Sequence, residues 1–245
     1  MLLRGASDRF ETFLLRRSAR SAFAPDAYVF PGGALDDDDF SIEAAERTLD
    51  IDAARLHAEF RGLVAQHDAA ALCIAALREL FEEAGVLFAR SPDGGPAVSR
   101  GALADARARL RAGEASFPQV LRDLDRHADA GALAFFSRWV TPPSEPRRYD
   151  TYFFVARMPD DQTPVADADE THDGRWIAPR EALADFGRGA LHLVYPTIKH
   201  LERLAAFDDL DTAIAFARSK PVITVAPYTS PQNGFKMPPE LEGVW

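Results

Sequence analysis

The stretch Arg78-Glu79-Leu80-Phe81-Glu82-Glu83-Ala84-Gly85-Val86 decides how this chain is read. On a helix, Cys73, Leu77, Leu80 and Ala84 recur at spacings of four, three and four and make one apolar stripe, which Phe81 broadens. Arg78, Glu79, Glu82 and Glu83 lie away from that stripe. Glu79 precedes Glu82 and Glu83 by three and four residues, so the three carboxylates share a face. In a bare helix each like-charge pair at such a spacing costs roughly 0.2–0.5 kcal/mol, and Arg78, four residues before Glu82, offsets only part of this. A hard divalent cation would turn the repulsion into coordination by oxygen. The pattern predicts a helix over 69–84, closed by Gly85 as a left-handed cap. Taken alone, three glutamates on a helix describe a solvated acidic face, and the context decides between the two readings.

Short aromatic or aliphatic runs bounded by turn residues predict strands over 13–16, 28–30, 133–140 and 149–156. Pro31-Gly32-Gly33 ends the second abruptly, since proline lacks a donor and glycine tolerates positive φ. Helices are expected from Ser41, which caps the start, and over 53–64, 101–111, 117–127, 196–207 and 210–218. The stretch 221–245 carries five of the 17 prolines and reads as an extended arm. No repeat and no long Gly/Ser linker interrupts the chain. A single α/β domain over 1–245 with helical insertions at about 40–68 and 97–130 is the economical organisation.

Tyr28-Val29-Phe30-Pro31-Gly32-Gly33 precedes the acidic helix at a strand end. The two stretches together resemble the signature of the Nudix hydrolases, GX5EX7REUXEEXGU, where U is a bulky aliphatic residue. The second half agrees at every specified position. The resemblance implies an α/β/α sandwich with a strand–loop–helix metal site. It implies Glu79, Glu82, Glu83 and the carbonyl of Gly33 as ligands of Mg²⁺ or Mn²⁺, with Arg78 orienting the carboxylates. Counted from Gly33, the signature arginine belongs at 47, yet it stands at 78, 31 residues late. The signature's first glutamate has no clean equivalent: counting forward from Gly33 gives Asp39, counting back from Arg78 gives Ala70. The interrupted box, Leu14-Leu15-Arg16-Arg17-Ser18 before it and Trp139-Val140-Thr141-Pro142-Pro143-Ser144-Glu145-Pro146-Arg147-Arg148-Tyr149-Asp150-Thr151 after it are similar to one Nudix branch. That branch contains a peroxisomal coenzyme A diphosphatase.

The activity implied is metal-dependent hydrolysis of a diphosphate linkage. Coenzyme A or an acyl derivative is the preferred substrate; ADP-ribose, a nucleotide sugar or a dinucleotide is the alternative. A ligand-binding domain without turnover is the reading from another class, motivated by the broken first half of the box. Retention of Arg78, Glu79, Glu82 and Glu83 speaks against it. Glu82, Glu83 or Glu170 would accept the proton of the attacking water. Glu170 sits in Asp169-Glu170-Thr171-His172, on a late loop where this family often carries a working carboxylate, although Asp167, Asp169 and Asp173 around it also describe an exposed acidic loop. Arg16, Arg17, Arg147 and Arg148 are the candidate substrate-binding residues. Neighbours on a strand point to opposite faces, so at most one of Arg16 and Arg17 enters the site directly, and the same limit applies to Arg147 and Arg148; surface arginines are the alternative reading. In Asp36-Asp37-Asp38-Asp39 a solvated loop is expected, with Asp39 the one residue of interest.

The chain has 245 residues, 28 Lys+Arg against 38 Asp+Glu, and a net charge of -10. Its mean field repels polyanions, which argues against nucleic acid as a partner. An anionic small molecule requires a local reversal of sign from arginine or metal. Only Lys199, Lys220 and Lys236 are lysines, so arginine supplies nearly all the positive charge. One cysteine, Cys73, excludes an internal disulfide. His67, His192 and His200 lack metal-ligand spacing. No apolar run reaches the length of a membrane span. The charged start is unlike a signal peptide and the ending Gly243-Val244-Trp245 is unlike a peroxisomal tripeptide, so a cytoplasmic location is expected. A homodimer is expected because many Nudix enzymes pair and the proline-rich arm needs a surface.

Overall fold

The computed structural model describes residues 1–6, 9–21, 24–49, 58, 60, 64–166, 171–230, 234–243 and 245. The main sheet begins with the hairpin β1 (Leu2–Ala6) and β2 (Arg9–Arg17), continues through β3 (Tyr28–Val29), and takes β7 (Ala134–Val140), β8 (Asp150–Arg157), β9 (Thr171–Ile177) and β10 (Thr224–Val225) from the rest of the chain. The order runs β10-β7-β8-β1-β2-β3, and β9 also pairs with β2. β1 is parallel to β8 and β10 to β7; the remaining pairings are antiparallel. A second sheet of three short strands, β4 (Thr48–Leu49), β6 (His127–Asp129) and β5 (Ala89–Arg90), ties the two insertions together.

Both faces of the main sheet are buried, and the period-two alternation shows it. Leu2, Phe13, Leu15, Phe135, Phe154 and Ala156 face one core, and Leu3, Phe10, Phe136 and Val155 the other. The first core receives the box helix α2 (Gln66–Ala84) and both insertions. These are represented by Ala44 of α1 (Ile42–Glu46), Ala106 and Leu110 of α3 (Arg100–Arg111) and Phe117, Val120 and Leu121 of α4 (Phe117–Asp123). Phe60 stacks on Phe135 in the same core, 4.2 Å between ring centres. The opposite face is covered by α5 (Pro179–Gly187), α6 (Tyr195–Leu204) and α7 (Leu210–Ser219). The result is the expected three-layer α/β/α arrangement.

Ser41 caps α1 by accepting from the Ala44 amide, and Gly85 ends α2 at φ 67, ψ 17, both as the sequence predicts. The helix expected to reach 127 stops at Asp123, because Asp125 turns to φ 53 and His127 enters β6. The helix expected over 53–64 lies largely outside the described residues. β1, β9 and α5 are additions to the predicted elements, and so are β4, β5 and β6, which the reading of the insertions as helical does not include. β9 carries Gly174, where a Cβ would stand 2.7 Å from the Phe13 ring; its Asp173-Gly174 pair has little local β-propensity, and the strand forms through its register with β2. The arm expected to be extended is in part sheet: it lays β10 beside β7, forms the hairpin β11 (Tyr228–Ser230) and β12 (Gly234–Lys236), and buries Trp245 against Trp139 and His200.

His200 is fully buried among Phe136, Trp139, Phe153 and Trp245, bonded to Ser137 Oγ through Nε2 and to the Pro196 carbonyl through Nδ1, each at 2.7 Å. Burial lowers its pKa to about 3. Between about 6.5, the unfolded value, and 3, the unfolded chain binds a proton that the folded chain refuses. Stability from this residue is therefore full above pH 6.5 and is lost as pH falls, by about 1.4 kcal/mol per unit. Urea titrations at pH 7, 6 and 5 are expected to show this slope, reduced in a His200→Gln variant.

Candidate active site

The register explains where the chain leaves the sheet. β9 takes one edge of β2 along Thr12–Arg17, so β1 and β3 share the other edge, β1 along Arg9–Thr12 and β3 along Leu15–Arg16. Past Val29 the line of β3 runs into the start of β1, and the chain must turn out of the sheet. It does so at Pro31-Gly32-Gly33, with Gly32 at φ 147, a value that a side chain would strain. The loop meets the last turns of α2. The Gly32 amide donates to Glu83 Oε2 at 2.7 Å. Gly33 lies so close to Glu79 that a Cβ there would sit 2.5 Å from Glu79 Oε1. No other residue fits without displacing that carboxylate.

Arg78 organises the remainder. Its Nε donates to Asp39 Oδ1 and its Nη2 to Asp39 Oδ2, both at 2.9 Å, a bidentate pair with side chains 8% and 1% exposed. Nη2 also donates to the Ala34 carbonyl at 2.8 Å, and Nη1 reaches Glu79 Oε1 at 2.9 Å and Glu82 Oε1 at 3.3 Å. Asp39 is fixed in turn by the Asp36 amide, 2.8 Å from Oδ2. The forward count from Gly33 therefore finds the residue that closes the first half of the box, with aspartate where the signature has glutamate. Asp36, Asp37 and Asp38 are exposed, as expected for a solvated run, while Asp39 departs from it and is buried.

Burial pushes the Glu79 carboxyl up to about 7; the charges of Glu82 and Asp39 add to this and Arg78 opposes it. Burial alone would lower the Arg78 guanidinium, but the Asp39 bond and the charges of Glu79, Asp39 and Glu82 outweigh that and hold it above its ordinary value. Among the described residues no three acidic, histidine or cysteine side chains converge as a ready-made cage. The reason is visible: Glu79 and Glu82 are drawn onto Arg78, and Glu83 onto the Gly32 amide. The donor set still fits a hard divalent ion. Glu79, Glu82 and Glu83 offer oxygen ligands beside the glycine loop, and Asp39, Glu79 and Glu82 together outnumber the guanidinium of Arg78 that they share.

The arginines expected at the substrate have other recorded partners. Arg16 pairs with Asp26 at 2.9 Å, Arg17 donates to Ser21 Oγ at 2.6 Å, and Arg148 reaches the Thr141 carbonyl at 3.4 Å. Arg147 is exposed in the β7–β8 loop. The strand registers put this loop and the end of β2 at the same end of the sheet. Glu170 lies outside the described residues. Arg107 of α3 also bonds to the box helix, at the Glu82 and Glu83 carbonyls. No spacing in the sequence signals it, because it acts across the fold.

A family model described as the NUDT19 Nudix domain matches residues 53–204, more than half of the chain. The chain belongs to the NUDT19 Nudix domain family. It is 32% identical over 253 residues to the acyl-coenzyme A diphosphatase NUDT19 of Gallus gallus, covering 86% of this chain and 65% of that protein. The human protein of the same name is 31% identical over 240 residues, covering 83% and 63%. The chain thus spans a little under two thirds of the length of these relatives. The crystal structure of a NUDIX hydrolase from Alicyclobacillus acidocaldarius shares the fold, with a TM-score of 0.69, 29% identity and coverage of 87% of this chain and 93% of that one. The Nudix resemblance and the α/β/α fold expected from it are thereby established, and hydrolases of this family generally use divalent metal ions. The family match begins at residue 53, so Gly32 and Asp39 precede it, and they are tied to it by the bonds of Gly32 to Glu83 and of Asp39 to Arg78.

Without Asp39 the buried Arg78 guanidinium loses its bidentate partner and keeps Glu79, Glu82 and the Ala34 carbonyl. Asp39→Ala is expected to lower the unfolding free energy by about 3 kcal/mol in urea titration. A second expectation concerns Glu79. Between the unfolded value near 4.3 and about 7, the folded chain holds a proton that the unfolded chain has released. That contribution is full below pH 4.3 and is lost as pH rises through 7. In metal-free protein, the melting temperature of Glu79→Gln relative to wild type is expected to rise between pH 5 and pH 8, measured by differential scanning calorimetry.

Proposed function

We propose that this chain hydrolyses the diphosphate linkage of coenzyme A or an acyl-coenzyme A, with Mg²⁺ or Mn²⁺ held by Glu79, Glu82, Glu83 and the Gly33 carbonyl. The observation that carries this reading is the Asp39–Arg78 pair, which gathers Glu79 and Glu82 beside the Pro31–Gly33 loop. The names of the relatives from Gallus gallus and Homo sapiens support the substrate class. The divalent ion would neutralise charge on the diphosphate and acidify the attacking water. Arg78 holds Glu79 and Glu82 in place, Asp39 holds Arg78, and the Gly32 amide holds Glu83. A carboxylate, Glu82, Glu83 or Glu170, takes the water proton as the water oxygen bonds to phosphorus and the bridging P–O bond breaks. The products are phosphopantetheine, free or acylated, and adenosine 3′,5′-bisphosphate.

In this reading one of Arg16 and Arg17 and one of Arg147 and Arg148 exchange their present partners for substrate phosphate, which the guanidinium fork suits. The apolar tail has a candidate wall. Leu35, Phe40 and Ile42 lie around the Asp36–Asp39 run just after Gly33 and are 43%, 46% and 79% exposed, three large apolar side chains close together in the chain. We place the pantetheine or acyl chain against them.

Chromatography of products from coenzyme A, acyl-coenzyme A and ADP-ribose, with Mg²⁺, Mn²⁺ or chelator, tests the proposal. Metal-dependent cleavage of coenzyme A is expected, lowered by about 100-fold or more in Glu82→Gln or Glu83→Gln. Full activity in chelator, or in both variants, defeats the mechanism; preferential cleavage of ADP-ribose defeats the substrate alone. Ile42→Asp is expected to raise KM for a long-chain acyl-coenzyme A several-fold, on the order expected for lost apolar contact, while KM for coenzyme A itself is unchanged.

A further inference from the structure

An α-helix ends in four carbonyls with no partner inside the helix. In α2 these belong to Phe81, Glu82, Glu83 and Ala84. The Gly85 amide fills the first at 2.9 Å and the Val165 amide fills the last at 2.8 Å. The two between are filled by one side chain. Arg107 Nε donates to the Glu82 carbonyl and Arg107 Nη2 to the Glu83 carbonyl, each at 2.8 Å. These two carbonyls sit on consecutive residues that the proposed function makes metal ligands.

The arrangement has three physical consequences. First, two donors in one rigid plane fix the rotation of both residues, where a single donor would leave the last turn free to wind or unwind. The direction of each Cα–Cβ bond, and so the reach of each carboxylate, is set by that rotation. Second, Glu79, Glu82 and Glu83 crowd the end of the helix where the macrodipole is negative, and a guanidinium placed there opposes the combined field. Third, Arg107 passes close to Gly85: a Cβ there would lie 3.0 Å from Arg107 Nη1, tight enough to push the guanidinium aside slightly, while φ 67 favours glycine for the turn itself.

We propose that Arg107 is a positioning residue for Glu82 and Glu83. Through it the second helical insertion forms part of the support of the active site. The inference rests on the reading of Glu82 and Glu83 as metal ligands given above.

The test measures Mn²⁺ binding without substrate, by electron paramagnetic resonance of the free ion, and steady-state kinetics with coenzyme A. The proteins are wild type, Arg107→Ala, Arg107→Lys and Arg109→Ala. Arg109 lies on the same helix and pairs at the surface with Asp123 of α4, so its variant reports on the loss of an α3 arginine other than the one bonded to the box-helix carbonyls. Arg107→Ala is expected to weaken Mn²⁺ binding and to lower kcat by about tenfold each, the usual scale for a group that orients ligands. KM is expected to change by less than about twofold. Arg107→Lys, which keeps one donor and the charge, is expected to recover part of both losses, and Arg109→Ala to match wild type. Wild-type Mn²⁺ affinity and kcat in Arg107→Ala overturn the inference while leaving the metal reading intact. Should Arg107→Ala not fold, Arg107→Lys decides: weakened binding supports the role, and wild-type binding overturns it. A wild-type protein that binds no Mn²⁺ overturns the metal reading and this inference together.

Discussion

Two parallel hydrogen bonds between Arg78 and Asp39 hold the candidate site together. A planar guanidinium that spends one edge on a buried carboxylate has only its remaining hydrogens to give, and these point at Glu79, Glu82 and the Ala34 carbonyl. The loop after β3 and the last turns of α2 are thereby docked to each other by one side chain. Every further feature depends on that docking: the contact of Gly33 with Glu79, the reach of Glu83 to the Gly32 amide, and the exposed lip that follows. The loop is pressed toward the helix from the other side as well, because β1 occupies the line along which β3 would continue.

What the sequence makes legible is what short-range rules govern. The box helix shows itself by a 3.6 period ending in Gly85, and the buried strands by alternation, so the α/β layering follows from local pattern. β9 is invisible by the same rules, because a polar run containing Gly174 becomes a strand only when β2 offers it an edge. Asp39 stands between these cases. Its position emerges from counting along the signature, but its burial depends on a partner 39 positions later. Arg107 lies beyond any count, since helix-end carbonyls carry no side-chain signature and their donor can come from anywhere in the fold. The substrate arginines are a different matter: Arg16, Arg17 and Arg148 hold partners of their own, and a strand position alone does not say which contacts yield to a phosphate.

The acidic balance of the chain takes on a spatial meaning. Among the described residues, most of the charged contacts outside the box are peripheral pairs, such as Arg16–Asp26 and Arg109–Asp123, with side chains open to solvent. At the box the balance is different: Asp39, Glu79 and Glu82 share the guanidinium of Arg78, and burial raises the proton affinity of Glu79 to near neutrality. A negative net charge therefore says little about anionic small molecules here, because the sign that matters is set within a few ångströms of Arg78.

The interruption of the box carries a lesson in chain entropy. The signature separates its first acid from its arginine by seven residues, and in this chain 38 lie between Asp39 and Arg78. Closing the longer loop costs about 1.5 kcal/mol more, because the penalty grows only with the logarithm of length. A buried bidentate pair can absorb a cost of that size. Such an insertion can thus lengthen or shorten over evolutionary time with small effect on the geometry at its two ends. A search that requires the seven-residue gap will pass over chains whose folded sites keep the same contacts.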